Sequence, residues 1–439
     1  MSSVTYEYEA QVRSGATWLD LPVTAIKPSA HLDRVPFTSA VIELGPVNNA
    51  TWALLDARAV DPHLRGQVRW KIRQQDVDGT LLGRLPHVTD NSDEWASMFV
   101  RNATRTLNSI TLNLGGGETM VDDRLVLEDT GRLASGYEIS RVLAAARNAG
   151  EYVDALLTLT FGPTTTTAAD ALASAARDVP LYSTLTRVGM DAQFPAPQGA
   201  SFAQLIDTEL SSAGCRLLDA WGVGWFICDR DHPPVFPGAP TTHRWASHED
   251  VPDGVDPIIT DYQETITRDG DWADTIVVTG ESGSLSETRT WRHSAEGGNR
   301  SRGRVIPANS LEPSGNIAAS IAARAYRRGH DITITARIAL DVAPGTLVEM
   351  HLKSGVTTAE IVSVDWDTAA GEMTVHARSA ATMPVDRDTR DTSTRISGDR
   401  ALEQARALAD QVLIAADSAT VSRIRETNQQ LHLAFRGTV

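Results

Sequence analysis

The sequence predicts a mainly β protein with an α+β insertion in its middle and a helix towards its C-terminal end, and three observations carry that prediction. Gln67–Arg73 alternate polar and apolar side chains without a break, the period of a half-buried strand. Short strand-forming runs bounded by turn residues recur on both sides of an alanine-rich stretch. From Asp399 onward the apolar residues are spaced by threes and fours, a helical repeat.

Within residues 1–130, Thr5–Val12 is rich in strand formers, and Ala40–Leu44, Trp52–Leu55, Met98–Asn102 and Ser109–Leu114 read as further strands. Gly115, Gly116 and Gly117 read as a turn from which Glu118–Val121 returns. Short strands at this spacing predict a barrel or sandwich, whose edges must close or pair with a neighbour. Residues 131–257 form the insertion. Ile139, Val142, Leu143 and Ala146 share one helical face, Ala168–Ala176 makes a second helix, and Phe202, Leu205, Ile206 and Leu210 mark a third. That helix runs into a hairpin between Cys215 and Cys228, and a loop-rich crossing with six prolines follows over 229–257.

Residues 258–384 return to strands, at Asp261–Thr267, Asp274–Thr279, Asp331–Leu340, Leu347–Leu352, Thr357–Asp365 and Met373–Arg378. Glu281–Arg304 reads as a polar loop and Asn316–Arg328 as a helix. Residues 385–398 read as a linker and 399–439 as a helix N-capped by Asp399. Its seam, Leu402, Ala405, Ala409, Val412, Ala416 and Ala419, fits a trimeric coiled coil or a helix packed on its own subunit, since a short alanine-rich seam binds weakly.

At 439 residues, 41% hydrophobic and 22% charged, the chain has the composition of a folded protein of two to four domains. A net charge of −16 argues against gripping nucleic acid through its phosphates. Ordinary solubility explains such acidity, and an acidic wall would also let DNA slide past without sticking. No stretch reaches the roughly 20 apolar residues of a membrane span, and the first residues do not read as a secretory leader. Two cysteines exclude a disulfide framework and a four-cysteine zinc site. Cys215 and Cys228 would face each other if the hairpin turn centred on Trp221 and Gly222; buried reduced thiols are the plainer reading.

Catalytic signatures are missing: there is no G-x-S-x-G elbow, H-E-x-x-H pair or Walker loop. Asp229, Asp231, His232, His243, His248, Glu249 and Asp250 are metal-ligand types without ligand spacing, as in a surface loop. A cysteine hydrolase needs an accessible, electropositive thiol, which apolar strands around Cys215 and Cys228 do not offer. Asp122 with Asp123, or Asp365 with Asp367, resemble a glycosidase pair in type, but nothing singles them out among 56 acidic residues. Trp18, Trp52, Trp70, Trp221, Trp225 and Trp245 suit either a sugar-stacking platform or a core. No catalytic residue, metal or cofactor is expected.

The order of parts adds a resemblance. His31–Thr38 leading into Ala40–Leu44, Ser201–Ile206 with Cys215–Ile227, Asp274–Thr279, and Ala322–Arg337 followed by Val342–Val348 together resemble the tail-hub (baseplate hub, minor tail protein) family of long-tailed phages. The likeness spans roughly residues 1–385. It implies two tube-like β-barrel domains, 1–130 and 258–384, with a small α/β domain between them. It also implies a homotrimer presenting six barrels to a hexameric tail tube. The implied partners are the tail tube protein, the distal tail protein, tail-tip and receptor-binding proteins and the tape measure protein. DNA would pass without specific binding, and the protein would sit at the virion's tail tip after assembly in the host cytoplasm. Which residues face the channel is left open. A short echo between Gly116–Val121 and Ala370–Val375 is compatible with an internal duplication.

Two other functions stand beside the hub. A tail-associated cell-wall hydrolase would need about 100 or more residues beyond the hub core, and about 55 follow Met383. A receptor- or carbohydrate-binding minor tail protein is supported by the ten tryptophans.

Overall fold

The structure is a computed structural model that describes residues 4–58, 66–86, 95–125, 153, 155–157, 159–160, 200–212, 215–222, 224–229, 242–248, 252–267, 272–273, 275–282, 285–293, 303–308, 326–353, 355–379 and 385–394. In chain order it runs β1 (Thr5–Ser14), β2 (Thr17–Asp20), β3 (Val23–His31), β4 (Thr38–Leu44), α1 (Asn49–Leu54), β5 (Gln67–Gln75), β6 (Leu81–Leu85), β7 (Ala96–Arg105), β8 (Ile110–Gly115) and α2 (Glu118–Asp122). Then come α3 (Phe202–Ser212) and the hairpin β9 (Cys215–Ala220) and β10 (Gly224–Asp229). The remainder is β11 (Thr242–Ala246), β12 (Ile259–Ile266), β13 (Thr275–Ser282), β14 (Leu285–His293), β15 (Gly303–Ala308), β16 (His330–Arg337), β17 (Leu347–Leu352), β18 (Gly355–Asp367), β19 (Glu372–Ser379) and β20 (Val385–Thr394).

Fourteen strands make one sheet. Its path is β12-β16-β19-β18-β3-β4-β8-β7-β5-β1-β2, with β17 and then β11 branching from β18, and β6 branching from β5. Strands β1 to β8 are a first block and β11, β12 and β16 to β19 a second. All ladders in this sheet are antiparallel except β11 with β17. The alternation in the sequence maps onto burial: Val68, Trp70 and Ile72 of β5 are buried, as are Ala40, Ile42 and Leu44 of β4 and Ile332, Ile334 and Ala336 of β16. All nine belong to a single apolar cluster spanning both blocks.

The expected pair of closed barrels is therefore corrected: the ladder crosses from one block to the other instead of closing within each. The cause is the length of β18. Its Gly355–Glu360 end is taken by β17, which leaves Ser363–Asp365 to pair with Ser29–His31 of β3. Pro28 stands one residue short of that crossing ladder, where its missing N–H removes no bond between the blocks.

Several local expectations change. Trp52–Leu55 is not a strand: Asn48 accepts a hydrogen bond from the Thr51 N–H (2.8 Å) and caps α1 instead. Glu118–Val121 does not return as a strand but coils into α2, with Thr119 Oγ1 donating to the Gly116 carbonyl at 2.8 Å. The expected loop at 281–304 contains β14, and the expected linker at 385–398 contains β20. With β13 and β15 these strands form a second sheet, ordered β15-β13-β14-β20. A polar ribbon escapes a hydrophobic-period reading because its backbone ladder needs no apolar stripe. β11 lies within 131–257 yet ladders onto β17 of the second block. Gly117–Glu118 precedes and opens a buried helix, whereas Glu372 opens an exposed strand end, so that echo marks no common element.

The helices expected over Ile139–Ala146 and Ala168–Ala176, and the whole 399–439 segment with Leu402, Ala405, Ala409, Val412, Ala416 and Ala419, lie outside the described residues. Of the helix expected over Asn316–Arg328, only its last three residues are described.

Candidate functional site, a tryptophan hairpin seated across two strand blocks

The tip of the β9–β10 hairpin is where the insertion meets the sheet. Ala220 pairs with Gly224, leaving three residues for the turn. Trp221 occupies the left-handed region at φ 59°, rare for a bulky side chain. Asp219 supports that turn by accepting the Gly222 N–H at 2.9 Å. Gly222 has φ 70°, and a Cβ on it would lie 2.0 Å from the Ser97 carbonyl oxygen, so only glycine lets the tip approach β7. Ser97 N–H in turn donates to the Trp221 carbonyl at 2.7 Å.

Trp221 is 2% exposed and touches both blocks. It stands edge-on to Trp70 of β5, ring centroids 5.4 Å apart, and tilted against Trp366 of β18 at 6.2 Å. Trp70 Nε1 donates to Met98 Sδ, and Trp366 Nε1 donates to the Ala339 carbonyl. A bulge between Ile361 and Ser363 sets the geometry: core-facing positions run 359 and 361 before it and 364 and 366 after it. The change of parity turns Trp366 into the core.

Beneath the tip lie two carboxylates, Glu118 at 6% exposure and Asp219 at 1%. Glu118 Oε1 accepts the Asp219 N–H at 2.8 Å and its Oε2 accepts the Phe37 N–H. Asp219 Oδ2 accepts the Gly117 N–H, and the Thr38 hydroxyl donates to the Asp219 carbonyl at 3.1 Å. Burial, reinforced by the neighbouring Asp219 charge, pushes the Glu118 carboxyl up to about 8, against the pull of its two N–H donors and Arg216. Burial likewise pushes Asp219 up to about 6, against its two N–H donors. A cavity of about 570 Å³ adjoins the pair, with Glu118, Val121, Ile206, Leu218 and Trp225 among its lining residues. These carboxylates address backbone amides and so hold the joint.

At the β3–β18 seam the contacts are polar. His31 Nε2 lies 2.9 Å from Asp365, Lys27 bridges Asp367 and Glu43, and Arg378 bridges Asp33 and Asp331. Burial raises Asp33, but the Arg378 guanidinium, helped by Arg328 and Arg216, holds it below the usual carboxylate range.

The residues singled out in the sequence are scattered. Asp122 accepts from the Ser201 hydroxyl and lines the cavity, Asp123 pairs with Arg101, and Asp365 and Asp367 each face a basic side chain of β3, so the members of each pair are held by separate partners. Asp229 pairs with Cys215 in the hairpin, and Cys228 with Arg216, one residue off the register that would set the cysteines opposite. His243 is buried against Trp245, and burial holds its imidazole below the usual range despite Asp341 and Asp256. Asp231, His232, Glu249 and Asp250 lie outside the described residues, and among the described ones no His, Cys, Asp and Glu cluster is placed to hold a metal. Trp70, Trp221, Trp225 and Trp245 are buried. Trp18, Trp52 and Trp95 are half-buried, with Arg69 4.5 Å and 4.6 Å from the Trp18 and Trp95 rings and Arg105 5.6 Å from Trp52. Sequence reasoning missed Glu118, Asp219 and Trp366; the one local sign was the Asp219-Ala220-Trp221-Gly222 turn, while Glu118 is about a hundred residues away.

No family model and no curated protein matches the chain. Solved structures with a similar arrangement include a tail protein from Neisseria meningitidis MC58, 11% identical, covering 86% of this chain and 98% of that one with a TM-score of 0.49. A 43 kDa tail protein of prophage MuSo2 from Shewanella oneidensis is 12% identical and covers 86% and 99% with a TM-score of 0.49. Prophage tail protein gp18 from Listeria monocytogenes EGD-e is 10% identical and covers 85% and 95% with a TM-score of 0.46. At such identities and TM-scores no residue role passes from them to this chain.

Proposed function

We propose that this chain is a structural, non-enzymatic subunit of a phage-type tail, a hub that works as a homotrimer between the tail tube and the tail tip. The observation that carries the reading is the fusion of two strand blocks into one wall over a common core, braced by a hairpin seated in both. Two strand blocks within that one sheet let three chains present six blocks, which reconciles threefold and sixfold symmetry. Exposed edges of such a wall are covered by the next copy, which answers the hazard of open strands. β12, at one end of the strand path, is exposed at every residue after its first and is one such edge.

The partners in this reading are the tail tube protein, the distal tail protein, tail-tip and receptor-binding proteins and the tape measure protein. DNA passes along an acidic surface without being bound, and residues 399–439 supply the trimeric contact or the attachment to the tip. The hydrolase alternative finds its sequence-suggested pairs apart: Asp123 is held by Arg101, and Asp365 and Asp367 by His31 and Lys27. The sugar-binding alternative loses its platform, because four of its tryptophans are core and cations lie over Trp18 and Trp52. Native mass measurement of the 47.3 kDa chain with and without tail tube protein tests the hub. A trimer, alone or on the tube, is the expected result. A monomer or dimer on assembled tubes, or clearing of host cell walls lost on substituting one carboxylate, overturns it.

A further inference from the structure

We propose that Glu118 and Asp219 form a proton-operated catch: while the pair keeps a proton the β9–β10 hairpin stays seated on both strand blocks, and loss of that proton as the surroundings turn from acidic to neutral lets the hairpin lift. The inference concerns the joint alone and stands whether or not the chain is a tail hub.

The geometry is that of two carboxylates buried side by side beneath the hairpin's tip. Each oxygen that makes a recorded bond accepts a backbone N–H, and each of those bonds crosses between elements or closes the tip: Phe37 and Asp219 to Glu118, Gly117 and Gly222 to Asp219. Lifting the hairpin separates Asp219 from Gly117, and Glu118 from the Asp219 N–H. It also withdraws Trp221 from between Trp70 and Trp366. Four donated N–H groups favour charge on the pair, yet two adjacent buried charges repel and both are largely stripped of water. A single proton on the pair relieves that repulsion without removing an acceptor, because a carboxylic acid's hydroxyl oxygen still accepts.

The charged groups facing Glu118 across its cavity are Asp33 and Arg34 from the loop after β3, Asp122 from α2, Asp207 from α3, Arg216 from β9, and Arg328. Among them Arg216 draws Glu118 towards its charged form, opposing burial and Asp219. The sign follows from linkage. Glu118 at about 8 and Asp219 at about 6 in the seated state both hold protons more tightly than ordinary carboxylates. Lifting therefore releases a proton, which passes to water through the cavity. Seating is firmest below the ordinary carboxylate range, weakens as pH rises from that range, with two protons released up to about 6 and one from there to about 8, and levels off above.

Hydrogen exchange of the full chain between pH 5 and 9, corrected for intrinsic base catalysis, reads the lifting directly. The peptides to follow carry the Ser97, Gly117, Asp219 and Gly222 amides; peptides from β4 and β8 are the reference. Between pH 6 and 8 the opening constant of the hairpin peptides should rise about tenfold per pH unit, the slope for one proton released, while the reference stays flat. Glu118→Gln should abolish that slope whatever its baseline, and Asp365→Asn, at the distant seam, should keep it. Hairpin peptides that follow the reference, or a slope that survives Glu118→Gln, overturn the proposal. Should Glu118→Gln not fold, the unmodified chain's profile decides alone.

Discussion

At the β3–β18 seam the two strand blocks meet through three residue pairs flanked by ion pairs that water reaches, whereas at the β9–β10 tip they meet through three buried tryptophans, with two buried carboxylates tying the hairpin to the first block. Both joints connect the same blocks, so their difference separates two tasks. The seam fixes register: Ser363, Val364 and Asp365 oppose His31, Ala30 and Ser29, and a slip of one residue would turn every neighbour to the wrong face. Its ion pairs add little, since Asp367 and Asp365 are each 46% exposed and such pairs contribute about 0–1 kcal/mol. The tip supplies binding energy through aromatic area and closes only if a glycine stands at 222.

That division is open to direct test. Trp221→Ala should have the largest effect, lowering stability in chemical denaturation by about 3–5 kcal/mol, the range for emptying a large aromatic site. Gly222→Ala should come next, at about 2–3 kcal/mol, because the new Cβ meets the Ser97 carbonyl and the backbone is left-handed. Its readout is loss of exchange protection at Ser97, the amide bonded to the tip. Lys27→Ala at the seam should be smallest, within about 1 kcal/mol by the same denaturation. A seam variant as damaging as Trp221→Ala would break the comparison; a Gly222→Ala chain with an unchanged hairpin would show that the tip does not need its close approach.

How much of this was legible in the sequence varied with the chemistry of each element. β5 was marked by alternation because its pleat sets apolar side chains against one core. The buried face of α3, Phe202, Ile206 and Leu210, was marked by its helical spacing. β14 and β20 were read as loop and linker because no apolar stripe distinguishes them, and a ladder made by backbone groups leaves no trace in composition. Asp122, Asp123, Asp365 and Asp367 had the residue types of a catalytic pair and turned out to be partnered separately, because residue type carries no information on direction.

The sequence by itself determined that this is a strand-built protein interrupted by a helix and a tryptophan hairpin, since those patterns arise from neighbours a few residues apart. Only the tertiary structure decided that the two strand blocks share one sheet and one core. It alone brought Glu118 beside Asp219 and set Trp221 between Trp70 and Trp366. Those contacts join residues about 100 to 340 positions apart. At that separation a contact depends on how long β18 is, where its bulge falls and how closely a glycine lets backbones approach, and none of these is a local property of the residues that meet.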